Sequence, residues 1–130
     1  MQSLVVEDEF TTRMILQRFL SDFGTCDVAT TGREAVLAFE SALTQNSPYD
    51  LVCLDIQLPE LDGQDVLKKM RSLEHAQATS PGEGVKVIMV TGVRDPKSIV
   101  GAFRSGCESY LVKPIERDTL LAELQKLGLQ

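Results

Sequence analysis

The stretch LVCLDIQLPELDG, residues 51–63, changes character in its middle. Four apolar residues run unbroken to Leu54, a carboxylate follows at Asp55, and Pro59 and Gly63 then mark a structured loop. A short continuous apolar run bounded by turn signals is the pattern of a strand buried on both faces. A carboxylate at its end is expensive unless water or a cation meets it. The fold therefore depends on how often this pattern recurs.

It recurs across the chain. Apolar runs stand at LVV (4–6), CDVA (26–29), LVCL (51–54), VIMV (87–90) and SYLV (109–112). Three of them are continuous rather than alternating, as in parallel strands covered by helices. Helical periodicity fills the gaps. Residues 10–23 carry Ile15, Phe19 and Phe23, with Leu16 and Leu20 beside them and Gly24 as a stop; residues 32–43 carry Val36, Phe39 and Leu43 behind Thr31 as N-cap. Residues 64–74 carry Val66, Met70 and Leu73. Residues 96–105 carry Ile99, Val100 and Phe103 behind Asp95 and Pro96, and residues 116–127 carry Leu120, Leu121, Leu124 and Leu127. A strand–helix unit repeated five times predicts one α/β domain over residues 1–130, with a parallel sheet and right-handed crossovers. The polar segment HAQATSPGEG (75–84) reads as a surface loop.

Composition narrows the function classes. Apolar residues make up 43% of 130, enough for a core, and no run of 18 apolar residues offers a membrane span. No signal peptide is visible. A formal net charge of −6 disfavours direct binding to nucleic acid or to an anionic membrane. Cys26, Cys53 and Cys107 are odd in number and widely spaced, without metal-type pairing, which points to a reducing, cytosolic compartment; Cys53 reads as core.

In open parallel sheets, ligands bind outside the carboxyl ends of the strands. Glu7 and Asp8 follow the first strand, Asp55 the third, Thr91 and Gly92 the fourth, and Lys113 and Pro114 the fifth. Glu7, Asp8 and Asp55 together suit a hard divalent cation held through oxygen, and magnesium keeps several waters in such a site. Glu9, one residue further on, reads as a first-turn carboxylate favoured by the helix dipole. A carboxylate beside a metal can attack phosphorus and become an aspartyl phosphate. Lys113 would then neutralise phosphoryl oxygens, and the Thr91 hydroxyl would donate to one.

As a set, VVEDE (5–9), CLDIQLPELDG (53–63), VTG (90–92), YLVKP (110–114) and TGREAV (31–36) resemble the receiver domain of two-component response regulators over essentially the whole chain. The resemblance implies a doubly wound, flavodoxin-like sheet in the order 2-1-3-4-5, with helices on both faces. It implies Asp55 as phosphoacceptor, fed by a histidine kinase or a histidine phosphotransfer protein. It implies Mg2+, for which Mn2+ can substitute, held by Asp8, Asp55, Glu7 and the backbone carbonyl of Gln57. Thr91 and Tyr110 would be the switch residues, although Tyr110 also reads as an ordinary half-buried strand tyrosine. Lys113 would bind the phosphoryl group, with the bond to Pro114 cis. A downstream protein would read the face made by the fourth helix, fifth strand and fifth helix. Gln57 and Val93 would flank the path of the hydrolytic water. The resemblance further implies a phospho-switch rather than a turnover enzyme, cytoplasmic, with no output domain within the chain.

Three rivals share parts of this pattern. A haloacid-dehalogenase-type phosphatase needs a second aspartate two residues after the nucleophile, where this chain has Gln57, which cannot cycle a carboxyl proton. A flavodoxin-type cofactor site wants a Gly/Ser/Thr-rich loop after the first strand, where three acids stand. An unphosphorylated receiver-like binding module typically lacks the acceptor or the lysine, and both are present.

Overall fold

The computed structural model describes residues 1–80, 83–92 and 95–130. Its elements alternate as expected: β1 (Ser3–Val6), α1 (Phe10–Ser21), β2 (Cys26–Ala29), α2 (Gly32–Thr44), β3 (Leu51–Asp55), α3 (Gly63–Ala76), β4 (Lys86–Thr91), α4 (Pro96–Arg104), β5 (Ser109–Val112) and α5 (Arg117–Lys126). All strand pairs are parallel and the order is β2-β1-β3-β4-β5.

The sheet separates two apolar layers by strand parity, because successive side chains leave opposite faces. Leu4, Val6, Val52, Leu54, Val87 and Met89 point to the side covered by α2, α3 and α4, where Phe39, Leu67, Met70 and Ala102 meet them. Val5, Leu51, Cys53, Ile88, Val90 and Leu111 point to the side covered by α1 and α5, against Leu16, Leu20, Leu120 and Leu124. The three central strands are buried on both faces, which explains their unbroken apolar runs. The edge strands differ: β2 exposes Asp27 and Val28, and β5 alternates buried with half-buried residues.

Local signals placed most helix starts. Thr31 Oγ1 accepts from Glu34 N at 3.1 Å, and Asp95 Oδ1 accepts from Lys97 N at 3.2 Å ahead of Pro96. Two expectations need correction. The segment 75–84 is not all loop, since α3 runs through Ala76. And α4 does not turn its large apolar stripe fully inward: Val100 and Phe103 are 49% and 45% exposed, and Ala102 is the buried residue of that helix.

Candidate phosphoryl and metal site

The register brings the strand ends level. Val6 pairs with Leu54, Asp55 with Val90, and Thr91 with Val112. Glu7, Asp55, Thr91 and Lys113 therefore emerge at one edge of the sheet, each at or one residue past the end of its strand. Backbone bonds extend the ladder there: Glu7 N to Ala29 O at 3.0 Å, Ile56 N to Val90 O at 3.0 Å, and Lys113 N to Thr91 O at 2.7 Å.

Asp55 is buried, and its two oxygens are held differently. Oδ1 accepts from Gln57 N at 3.0 Å, and Oδ2 accepts from Lys113 Nζ at 3.3 Å. The loop after it is closed against the start of α3, where Gly63 N donates to Ile56 O at 2.9 Å. Gly63 is required for this closure, because a Cβ there would overlap the Asp55 carbonyl oxygen.

Glu7 is fully buried and lies 2.7 Å from the Lys113 ammonium through Oε1; this is an ion-pair contact, and no aligned hydrogen bond reaches that oxygen. Its Oε2 accepts from Glu9 N at 3.2 Å. Burial, and then the neighbouring Asp55 carboxyl, push the Glu7 pKa above the usual carboxylate value. Burial works against the Lys113 charge, but the ion-pair contact with Glu7 and the charge of Asp55 outweigh it and hold the ammonium pKa above its ordinary value. Among the described residues, the buried carboxylates Glu7 and Asp55 thus share the single charge of Lys113.

Asp8 completes the acidic set from an exposed position. One oxygen from each of Glu7, Asp8 and Asp55 lies within 4.8 Å of the others. Octahedral magnesium, with bonds of about 2.1 Å, separates its ligand oxygens by roughly 3 to 4 Å, so small side-chain adjustments would bring all three into range. An all-oxygen donor set, with a buried Glu7 oxygen lacking an aligned donor, fits a hard cation.

Glu9 requires a correction. It precedes α1 as its N-cap rather than lying in the first turn: its carboxylate accepts from Thr11 N at 2.7 Å and from Thr12 Oγ1 at 2.6 Å. The Thr12 bond first, then the backbone bonds, lower its pKa. Turned back to α1, this carboxylate is not grouped with the other three.

Thr91 is buried at the end of β4. Tyr110 is half-buried on β5 and meets the Phe103 ring edge-on at 6.0 Å between centroids. The Lys113–Pro114 bond is cis. Gln57 is exposed, and Val93, the other expected flank of the water path, lies outside the described residues. The cysteines show no activated thiol: burial pushes Cys53 up to about 12 and Cys107 up to about 11, and raises Cys26.

One contributor had no obvious sequence signal. Arg13 Nη1 donates to the carbonyls of Glu7 and Asp8 at 3.1 and 3.3 Å, bracing the acidic loop from the first turn of α1. Only its spacing from Glu9, one helical turn, hints at that reach.

The response regulator receiver domain family matches residues 3–125, and the chain belongs to that family. It is 33% identical over 128 residues to the probable transcriptional regulatory protein SilR of Salmonella typhimurium, covering 98% of this chain and 50% of SilR. It is 30% identical over 125 residues to the chemotaxis protein CheY of Listeria monocytogenes, covering 95% of this chain and 94% of CheY. Among solved structures, it resembles the receiver domain of sensor histidine kinase PA1611 from Pseudomonas aeruginosa PAO1, which has a magnesium ion coordinated in its active site cleft; the TM-score is 0.78 at 26% identity, over 98% of this chain and 97% of that one. The chain spans half the length of SilR. As a receiver domain of a two-component system, it is of the class that takes phosphoryl groups from histidine kinases or phosphotransfer proteins. Among the described residues, no helix is long and apolar enough to cross a membrane.

Proposed function

We propose that this chain is a phosphorylation-driven switch in which Asp55 accepts the phosphoryl group. The observation that carries the reading is the convergence of Glu7, Asp8, Asp55 and Lys113 at one sheet edge, with Asp55 buried and oriented from both oxygens. An Asp55 oxygen attacks the phosphorus of a phosphohistidine. A new O–P bond forms, the P–N bond breaks, and the imidazole leaves with its electron pair and then takes up a proton. The product is an acyl phosphate on Asp55.

Asp8, Asp55, Glu7 and the Gln57 carbonyl would hold magnesium, which supplies Lewis-acid neutralisation of phosphoryl oxygens when bound. Lys113 stays charged at neutral pH and moves from pairing Asp55 to pairing the phosphoryl group. The Thr91 hydroxyl donates to a phosphoryl oxygen, drawing the end of β4 toward Asp55. Tyr110 then turns inward, which releases Phe103 from its edge contact. An open cleft of about 390 Å³, lined by Phe103, Tyr110, Val112, Thr119 and Glu123 among others, supports the α4-β5-α5 face as the surface a downstream protein reads.

Incubation with acetyl phosphate and magnesium, read by intact mass, tests the reading. One added phosphoryl group is expected, lost in Asp55→Asn and lost on chelation of the metal. Equal uptake by Asp55→Asn would exclude Asp55 as the acceptor. The switch itself has a built-in reporter, since the chain has no tryptophan and two tyrosines, Tyr49 and Tyr110. In Tyr49→Phe the tyrosine fluorescence comes from Tyr110 alone and should change on phosphorylation.

A further inference from the structure

The fourth helix is lightly anchored to the domain. Of its 9 residues Ala102 alone is buried. Two long polar side chains from α3 reach it. Gln64 Nε2 donates to Ser98 O at 3.3 Å, and the same amide lies against Gly101, where a Cβ would stand 2.8 Å from Oε1 and 3.1 Å from Nε2. Arg71 Nε and Nη2 donate to Gly106 O, just past the helix end, at 3.1 and 2.7 Å. A Cβ at Gly106, which has φ +106°, would stand 3.2 Å from Arg71 Nε. Gln64 and Arg71 are about two turns apart, so they share one face of α3. On the α4 side the Gln64 amide meets Ser98 O and the bare backbone of Gly101, and Arg71 meets Gly106.

The two contacts differ in strength. Gln64 offers one long neutral hydrogen bond. Arg71 makes charged bonds, roughly twice as strong as neutral ones. It is also fixed by Glu74 Oε1 at 2.7 Å, Val85 O at 2.9 Å and Glu108 Oε1 at 2.9 Å. Glu74 and Glu108 are themselves tied to the start of β4, through Val85 N at 2.7 Å and Val87 N at 2.6 Å. Arg71 therefore belongs to a rigid clamp, and Gln64 does not.

We propose that the Gln64 amide, seated on Gly101, is a releasable catch on α4, and that the Arg71–Gly106 contact is the pivot about which α4 moves. The catch holds the end of α4 nearer Thr91, and the pivot holds its exit toward β5. Gln64 is a positioning residue and touches no reacting atom. The link to signalling rests on the switch reading above: drawing the end of β4 toward Asp55 reaches the caught end of α4 first. Phe103, which lies between catch and pivot, then shifts against Tyr110. The seat also gives Gly101 a use, since glycine inside a helix is otherwise unfavourable relative to alanine.

Hydrogen exchange read by mass spectrometry on the unphosphorylated, metal-free protein decides between the catch and simple helix propensity. Propensity alone makes Gly101→Ala raise the protection of α4 amides. The catch predicts the opposite sign: a loss of about twofold over residues 98–103, because the new methyl group displaces the Gln64 amide, whose bond at roughly tenfold outweighs a propensity gain of roughly fivefold. Gln64→Ala should give the larger loss, about tenfold, because it brings no gain in propensity to offset the lost bond. Gly101→Ala placed in the Gln64→Ala background should then raise protection, since nothing remains to be displaced. Peptides covering β5 should exchange as in the wild type throughout. A gain of protection in Gly101→Ala alone, a further loss in the double variant, or a loss extending into β5 would each overturn the catch. Acetyl phosphate and magnesium then test the pivot: protection should fall around residues 98–101 and persist at Gly106, and a uniform fall through Gly106 would refute it. A chain that takes up no phosphoryl group would overturn the switch reading, with the catch decided by the four unphosphorylated proteins.

Discussion

Replacing Asp55 by asparagine should stabilise the metal-free protein while abolishing phosphorylation. Coulomb attraction between Asp55 and Lys113 at 3.3 Å is about 5 kcal/mol at an effective dielectric constant of about 20. Repulsion from Glu7, within 4.8 Å, is at least about 3.5 kcal/mol on the same scale, and exposed Asp8 adds roughly half of that after screening by solvent. These terms nearly cancel, so burial of the charge decides. Asp55 is 4% exposed, and burying an ionised carboxylate costs several kcal/mol that a neutral amide does not incur. Asparagine keeps an oxygen for Gln57 N, and its amide nitrogen takes the Oδ2 position, 3.3 Å from a Lys113 ammonium that Glu7 still pairs at 2.7 Å. The net gain should be about 2 kcal/mol, or roughly 7 °C in Tm for a domain of this length. Urea unfolding in the presence of a chelator measures it. Magnesium at about 100 times its Kd would stabilise the wild type by about 2.7 kcal/mol and close the gap. If Asp55→Asn unfolds at lower urea than the wild type without metal, the Lys113 pairing outweighs the buried charge and the reasoning fails.

Changing Asp8→Ala should slow phosphorylation by acetyl phosphate strongly, whereas Glu9→Ala should lower thermal stability through its lost cap and leave that rate near the wild-type value; equal loss of rate in both would remove Asp8 from the metal set. Changing Glu74→Ala strips Val85 N and Arg71 of a buried partner and should cost about 3 kcal/mol in urea unfolding, with Glu74→Gln costing less because it still accepts from Val85 N. With a thiol pKa of about 12, Cys53 holds on the order of one part in ten thousand as thiolate at pH 8, so a thiol reagent should label Cys26 first in the native protein and all three cysteines only in denaturant. Changing Val93→Glu should shorten the lifetime of the phosphorylated form, because a carboxylate can orient water where valine cannot; an unchanged decay rate at saturating magnesium would remove Val93 from the water path.

The order of residues alone was enough to read the ten elements, their succession and the edge of the sheet where chemistry gathers. Burial on both faces forces continuous apolar runs such as LVCL and VIMV, helices must show their period, and Asp55 or Lys113 at a strand end announces itself against that apolar background. Caps at Thr31 and Asp95 were legible because their partners lie within one turn of chain. Packing settled what depends on partners distant in sequence. Glu9 turns back to cap α1 while its neighbour Glu7 pairs with Lys113 across the sheet, and adjacent acids carry no local mark of which will do which. The outward turn of Val100 and Phe103 follows from how α4 sits against α3 and β5, since a helical period gives the spacing of an apolar stripe and not the surface that covers it. Arg71, Gln64 and Gly101 carry no local mark in the sequence of what they touch. Their meaning comes from contacts across 34 or more residues, which only the packed chain brings together.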